Sequence, residues 1–155
     1  MKPVAKRATP AAIAVLRQAT ALKPKRNKAS DGLLPSAAHI NQNPDSDHNT
    51  GYAVDLTHDP ELGINGHEVY AHLKSDRRVK YLIFKGRIWS AEKGDRDYTG
   101  SNPHNKHIHI SIKDNCGNDT SPWFPWLDKP KFKTADAARA AASRFKPLPK
   151  KKENK

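Results

Sequence analysis

Residues 107–112 read HIHISI. Strict alternation of polar and apolar side chains is the period of a β-strand, whose successive residues point to opposite faces. One face carries His107, His109 and Ser111, and the other carries Ile108, Ile110 and Ile112. Two imidazoles side by side repel when protonated, and they cost desolvation when buried without partners. A strand of this kind demands a sheet with an apolar layer behind it and a use for the histidines in front.

The rest of the chain supplies such a sheet. Residues 79–90, VKYLIFKGRIWS, place two apolar runs around Lys85-Gly86, a hairpin signature. Residues 52–57 form a further short strand. Residues 10–22 have Ile13, Leu16 and Ala19/Thr20 at helical spacing behind Pro10, which suits a first turn. Asn65 or Gly66 opens a second helix reaching about Ser75, with Val69, Tyr70 and Leu73 inward. Residues 27–44 and 91–105 read as loops. Residues 122–130 hold Trp123, Phe124, Trp126 and Leu127 as an aromatic clamp, and residues 134–145 form an alanine-rich helix capped by Thr134. The order predicts a small α+β fold, an antiparallel sheet with flanking helices. Residues 1–9 are expected to be disordered, 10–145 to form a single domain, and 146–155 to be a basic flexible tail.

With 155 residues there is room for one domain, but only 35% of them are apolar, so the core is modest. One cysteine, Cys116, excludes an intramolecular disulfide and a four-cysteine zinc site, and is expected to be inert. The early apolar run at 11–16 is shorter than a signal-peptide core or a membrane span. The protein is therefore expected to be made in the cytoplasm without a signal peptide and released by other means. Its net charge of +12, from 28 basic and 16 acidic residues, favours polyanions such as nucleic acid, anionic lipid or acidic cell-wall polymers, with electrostatic association with anionic wall or membrane surfaces as one such use. No specific nucleic-acid partner is expected, because the basic residues do not interleave with aromatics around the candidate site. The chain is expected to be a monomer.

Upstream lies SDHNTGYAVDL, residues 46–56, in which His48 and Asp55 flank Gly51 where a loop turns into a strand. Alone, the pair reads as ordinary loop polarity. Beside His107 and His109 it reads as half of a metal site. Zinc takes imidazole nitrogen and carboxylate oxygen, and a catalytic zinc needs three protein ligands and an open position for a water whose pKa falls toward ~7.

The stretch SDHNTGYAVD resembles the Ser-x-His-x-x-Gly-x-Ala-x-Asp motif of M15-type zinc peptidases, which include D-alanyl-D-alanine carboxypeptidases and the L-alanyl-D-glutamate endopeptidases of phage lysins. HIH resembles the His-x-His motif of the wider group that includes lysostaphin-like enzymes and the hedgehog fold. The resemblance runs from about Lys28 to Ile112. It implies a hedgehog/DD-peptidase-like fold, Zn2+ as cofactor, peptidoglycan stem peptides as substrate and cell-wall lysis as outcome, as in a phage endolysin. It implies His48, Asp55 and His109 as zinc ligands, Ser46 near the substrate, and Gly51 and Ala53 as small residues behind the metal. His107 matches a histidine that lies beside the metal and assists proton transfer. Many M15 enzymes carry an acidic base three residues before the last ligand, where this chain has Lys106. His107 is therefore the expected catalytic base, with His104 in reserve, and Tyr98 is expected to line the substrate groove.

The other histidines draw more modest expectations. His39 is a loop or surface group, His58 caps the turn after the first strand, and His67 and His72 lie on a helix surface. Trp89 belongs to the core, and Asp95 and Asp97 lie within loop reach of the site. Two further readings stay open: a metal-dependent nuclease, and a non-catalytic zinc-retaining wall-binding domain.

Overall fold

The HIHISI segment becomes the second strand of a five-stranded antiparallel sheet in the computed structural model, which describes residues 4–127. In chain order the strands are β1 (Ala53–Thr57), β2 (Val79–Phe84), β3 (Arg87–Ser90), β4 (Gly94–Asp97) and β5 (His107–Ile112). Across the sheet they run β1-β5-β2-β3-β4. The helices are α1 (Pro10–Leu22), α2 (Ala37–Gln42) and α3 (Gly66–Leu73), with a short 3-10 helix at Asp47–Thr50. This is the expected small α+β architecture.

The β5 alternation sorts the two faces. Ile108, Ile110 and Ile112 are fully buried with Val54, Leu56 and Leu82. α1 packs on β1, and α3 packs on β2 and β5. Trp123 and Phe124 complete this layer: Trp123 is buried, donates its indole N–H to Ala11 O at 3.0 Å, and lies 3.6 Å beneath the Arg78 guanidinium. The buried Arg78 also donates to the carbonyls of Asp119, Ser121 and Pro122. On the other face, register sets Asp55 opposite His109 and Thr57 opposite His107. β2 adds Tyr81 opposite Ser111 and Ile83 opposite His109.

α1 has the expected bounds, and Thr9 caps it by accepting from Ala12 N–H. Its buried stripe is nevertheless Ala11, Val15 and Ala19 rather than Ile13 and Leu16, which stay half-buried. Small residues at i, i+4 and i+8 let the helix lie close on the sheet. In α3, Val69 and Leu73 point inward as expected, while Tyr70 is half-buried and donates to Asp95. The hairpin turns at Lys85-Gly86 with φ of 45° and 78°, the left-handed pair of a two-residue hairpin loop.

Two predicted loops hold structure. α2 lies within 27–44, capped by Ser36, and β4 lies within 91–105, paired to β3. β4 reads GDRD and has no apolar periodicity, so pairing with β3 and charge bonds to Arg87 make the strand. Residues 4–9, expected to be disordered, run against the site loop: Ala5 N–H donates to Asn49 O, Thr9 N–H donates to Gly51 O, and Ala8 is buried.

The chain divides into two units, Met1–Phe124 and Pro125–Lys155. The predicted domain 10–145 extends across that division, so Trp126 and Leu127 fall in the second unit. The helix expected at 134–145 and the tail at 146–155 lie outside the described residues. Among the described residues no helix is long and apolar enough to cross a membrane.

Candidate metal centre

Between His48 and Asp55 the chain reverses through Gly51, whose φ of 81° lies in the left-handed region. A Cβ there would sit 2.8 Å from Arg7 O and 3.0 Å from Ala8 Cα. The glycine thus permits both the turn and the close passage of the N-terminal segment. Ser46 caps the 3-10 helix by accepting from His48 N–H at 3.2 Å, which aims the His48 ring back over β1. Asp55 is fixed by strand pairing to His109 and by a bridge on its other side. Gly32 N–H donates to Asp55 O at 3.0 Å, and Asp55 N–H donates to Gly32 O at 2.8 Å.

These constraints bring His48, Asp55 and His109 together. One ligand atom from each lies within 4.8 Å of the others. His48 Nε2 and His109 Nδ1 each lie 3.2 Å from Asp55 Oδ1. The far nitrogens are committed. Leu33 O, which can only accept, takes the proton of His48 Nδ1 at 2.8 Å, so the imidazolium gives its second proton from Nε2 to Asp55, and the neutral ring turns the Nε2 lone pair inward. His109 Nε2 pairs with the buried Ser111 Oγ at 2.8 Å. Two imidazoles whose outer nitrogens are anchored and whose inner nitrogens converge on a carboxylate form a donor set suited to zinc.

The electrostatics have the same origin. Burial works against the Asp55 carboxylate, but hydrogen bonds from His109 and His48 hold it far below the usual carboxylate range. Burial also works against the His48 imidazolium, yet the hydrogen bond and charge of Asp55 raise its pKa. His107 shares the face, with Nε2 3.6 Å from Asp55 Oδ2, and burial lowers its pKa. His104 reaches the site because Lys85 N–H and Gly86 N–H donate to His104 O and Pro103 O, strapping the loop across the hairpin turn. Its φ is 62°, and its ring packs 5.0 Å from that of His107 and 5.7 Å from that of His109. Burial, then the neighbouring His109 and His107, push its pKa down to about 4. Its Nδ1 is buried without a hydrogen-bond partner.

A cleft of about 490 Å³ opens over the triad. Tyr98 stands in its wall with its ring 5.8 Å from His104, and Ser46 lies at its edge. His39, expected to be a loop or surface group, sits on α2 and bonds Ser46 Oγ through Nε2 at 3.1 Å, within the cleft wall. Tyr81 stacks on His109 at 5.3 Å, and burial pushes its phenol up to about 12. No motif marks Tyr81 as a site residue, and its position in the predicted β2 opposite β5 is the signal that could have found it. Asp95 and Asp97 do not reach the triad: they pair with Arg87, and Asp95 also pairs with Lys74. His58 does act as a cap, accepting from Gly66 N–H at 2.9 Å.

Among known families, the model described as VldE, C-terminal domain, matches residues 5–109. The chain belongs to the VldE C-terminal domain family. The match takes in the N-terminal segment packed on the site loop and all three members of the triad, ending at His109. No curated protein matches the chain, and no solved structure does. Membership in the VldE C-terminal domain family thus covers the whole candidate centre.

Proposed function

We propose that this chain is a zinc-dependent peptidase that cuts stem-peptide amides of peptidoglycan. The observation that carries the reading is the convergence of His48 Nε2, Asp55 and His109 Nδ1 at the floor of a cleft, each imidazole anchored at its other nitrogen. The resemblance of residues 46–55 and 107–109 to M15-type peptidases supplies the substrate class.

His48, Asp55 and His109 would hold the ion. Bound zinc supplies a Lewis acid that polarises a carbonyl and acidifies a coordinated water. The chain's own residues do the rest. His107, whose pKa burial lowers, is placed to accept at Nε2, beside Asp55, the proton given up by the attacking water and to return it to the leaving amine as the amide C–N bond breaks. His104 packs against the rings of His107 and His109 and helps hold them in place. Tyr98, Asn43 and Asn102 offer hydrogen bonds to a substrate backbone along the cleft.

The test is digestion of purified peptidoglycan, and separately of DNA and RNA, with and without a chelator. The expected result is release of new amino termini from the wall, abolished by chelation, with nucleic acid intact. Chelator-sensitive nucleic-acid cleavage would establish the nuclease reading instead. Wall binding without cleavage would leave a binding domain.

A further inference from the structure

The cleft does not end at the triad. His39, His48 and Asp55 line it from one side, and the same three side chains line a second depression of about 170 Å³. The far depression is walled by the 32–36 segment, where the exposed Leu34 offers apolar surface. We propose that the two depressions form one groove that takes an extended peptide across the triad, so that the bond cut is internal and the site is that of an endopeptidase. The proposal rests on the peptidase reading above and names its substrate class.

An enzyme that trims one carboxy-terminal residue must stop the chain just past the scissile bond, and a buried terminal carboxylate needs a cation or several donors to offset its desolvation. The groove has the opposite character. Beyond the triad, the described lining carries the exposed carboxylate of Asp45 and the neutral carboxamides of Asn43 and Asn102. Lys80, close by in the fold, is committed to Asp47 through both carboxylate oxygens at 3.2 and 3.1 Å. Among the described lining residues no lysine or arginine is at hand to pair with a terminal carboxylate, whereas peptide groups, which both donate and accept, suit the carboxamides. On the other side Gly32 pairs with Asp55, and without a side chain it keeps the passage beside Asp55 Oδ2 clear.

Two probes decide the matter: a monomeric stem pentapeptide with a free carboxylate, and a cross-linked stem-peptide dimer. Binding of each is followed by amide chemical shifts on the full chain, both metal-stripped and zinc-loaded. The dimer is expected to bind at least ~10-fold more tightly in both states, shifting Gly32, Leu34 and Ser36 as well as Asn43 and Asn102. Leu34→Asp should weaken the dimer and leave zinc uptake unchanged. Equal or tighter binding of the monomer, shifts confined to the Asn43 and Asn102 side, or no binding of either probe would overturn the groove. Cleavage products separate this proposal from the peptidase reading. If the zinc-loaded chain releases single carboxy-terminal residues from the pentapeptide, the groove assignment fails and the peptidase reading stands. If it binds the dimer on both sides of the triad and cuts nothing, the groove stands and the peptidase reading fails.

Discussion

His107 and His109 lie two residues apart on one strand face, yet their surroundings give them different work. His109 faces Asp55 and is anchored by Ser111, while His107 stands beside the carboxylate with a lowered pKa. His109→Ala should lose both zinc and activity. His107→Ala should keep most zinc and lose ~10²–10⁴-fold in rate if it is the general base. Zinc titration alongside peptidoglycan hydrolysis checks both, and zinc loss in His107→Ala with retention in His109→Ala would reverse the register. Ser111→Ala should weaken zinc affinity ~10–100-fold through the freed His109 ring, which competition with a chromogenic chelator measures. The triad is legible in the sequence because each member sits in a motif with its own spacing. His39 and the Leu33 carbonyl are not, since both lie in a stretch with no periodicity, and a backbone acceptor leaves no trace in residue type.

At the scale of elements, the site depends on a turn and a strap. Gly51→Ala forces a side chain into the left-handed region and against the backbone of Arg7 and Ala8. It should destabilise the fold by ~1–3 kcal/mol, seen as a lower urea midpoint; an unchanged midpoint would show that the turn relaxes freely. Strong periodicity makes α1, the hairpin and β5 legible from residue order alone. β4 is hidden because its residues, Gly94 to Asp97, are poor strand formers by type, and their strand conformation comes with the pairing to β3. The α1 stripe departs from its expected residues because close packing on β1 selects alanines over the larger Ile13 and Leu16.

For the whole molecule, charge and pH govern behaviour. A net charge of +12 should hold the protein on anionic walls or vesicles at low salt. Retention should be lost as the Debye length falls from ~10 Å at 0.1 M to ~3 Å at 1 M, which co-sedimentation at both salts checks. Stability should fall on acidification of the metal-free chain. His104 in the folded state binds its proton only near pH 4, whereas an unfolded histidine binds it near ~6.5. Its contribution is therefore present above that unfolded value and lost as pH falls toward 4. Asp55, also depressed, loses its contribution at lower pH still, while the raised His48 acts in the opposite sense. His104→Asn, which tolerates the positive φ, should flatten the fall in urea midpoint between about pH 6.5 and about pH 4. An unchanged slope would mean that His104 does not govern it. The central claim, that one loop and two strands build a single metal centre, is tested most directly by elemental analysis of the wild type and His48→Ala after zinc reconstitution. The account predicts about one zinc per wild-type chain and little in the variant; full zinc occupancy in His48→Ala would contradict it.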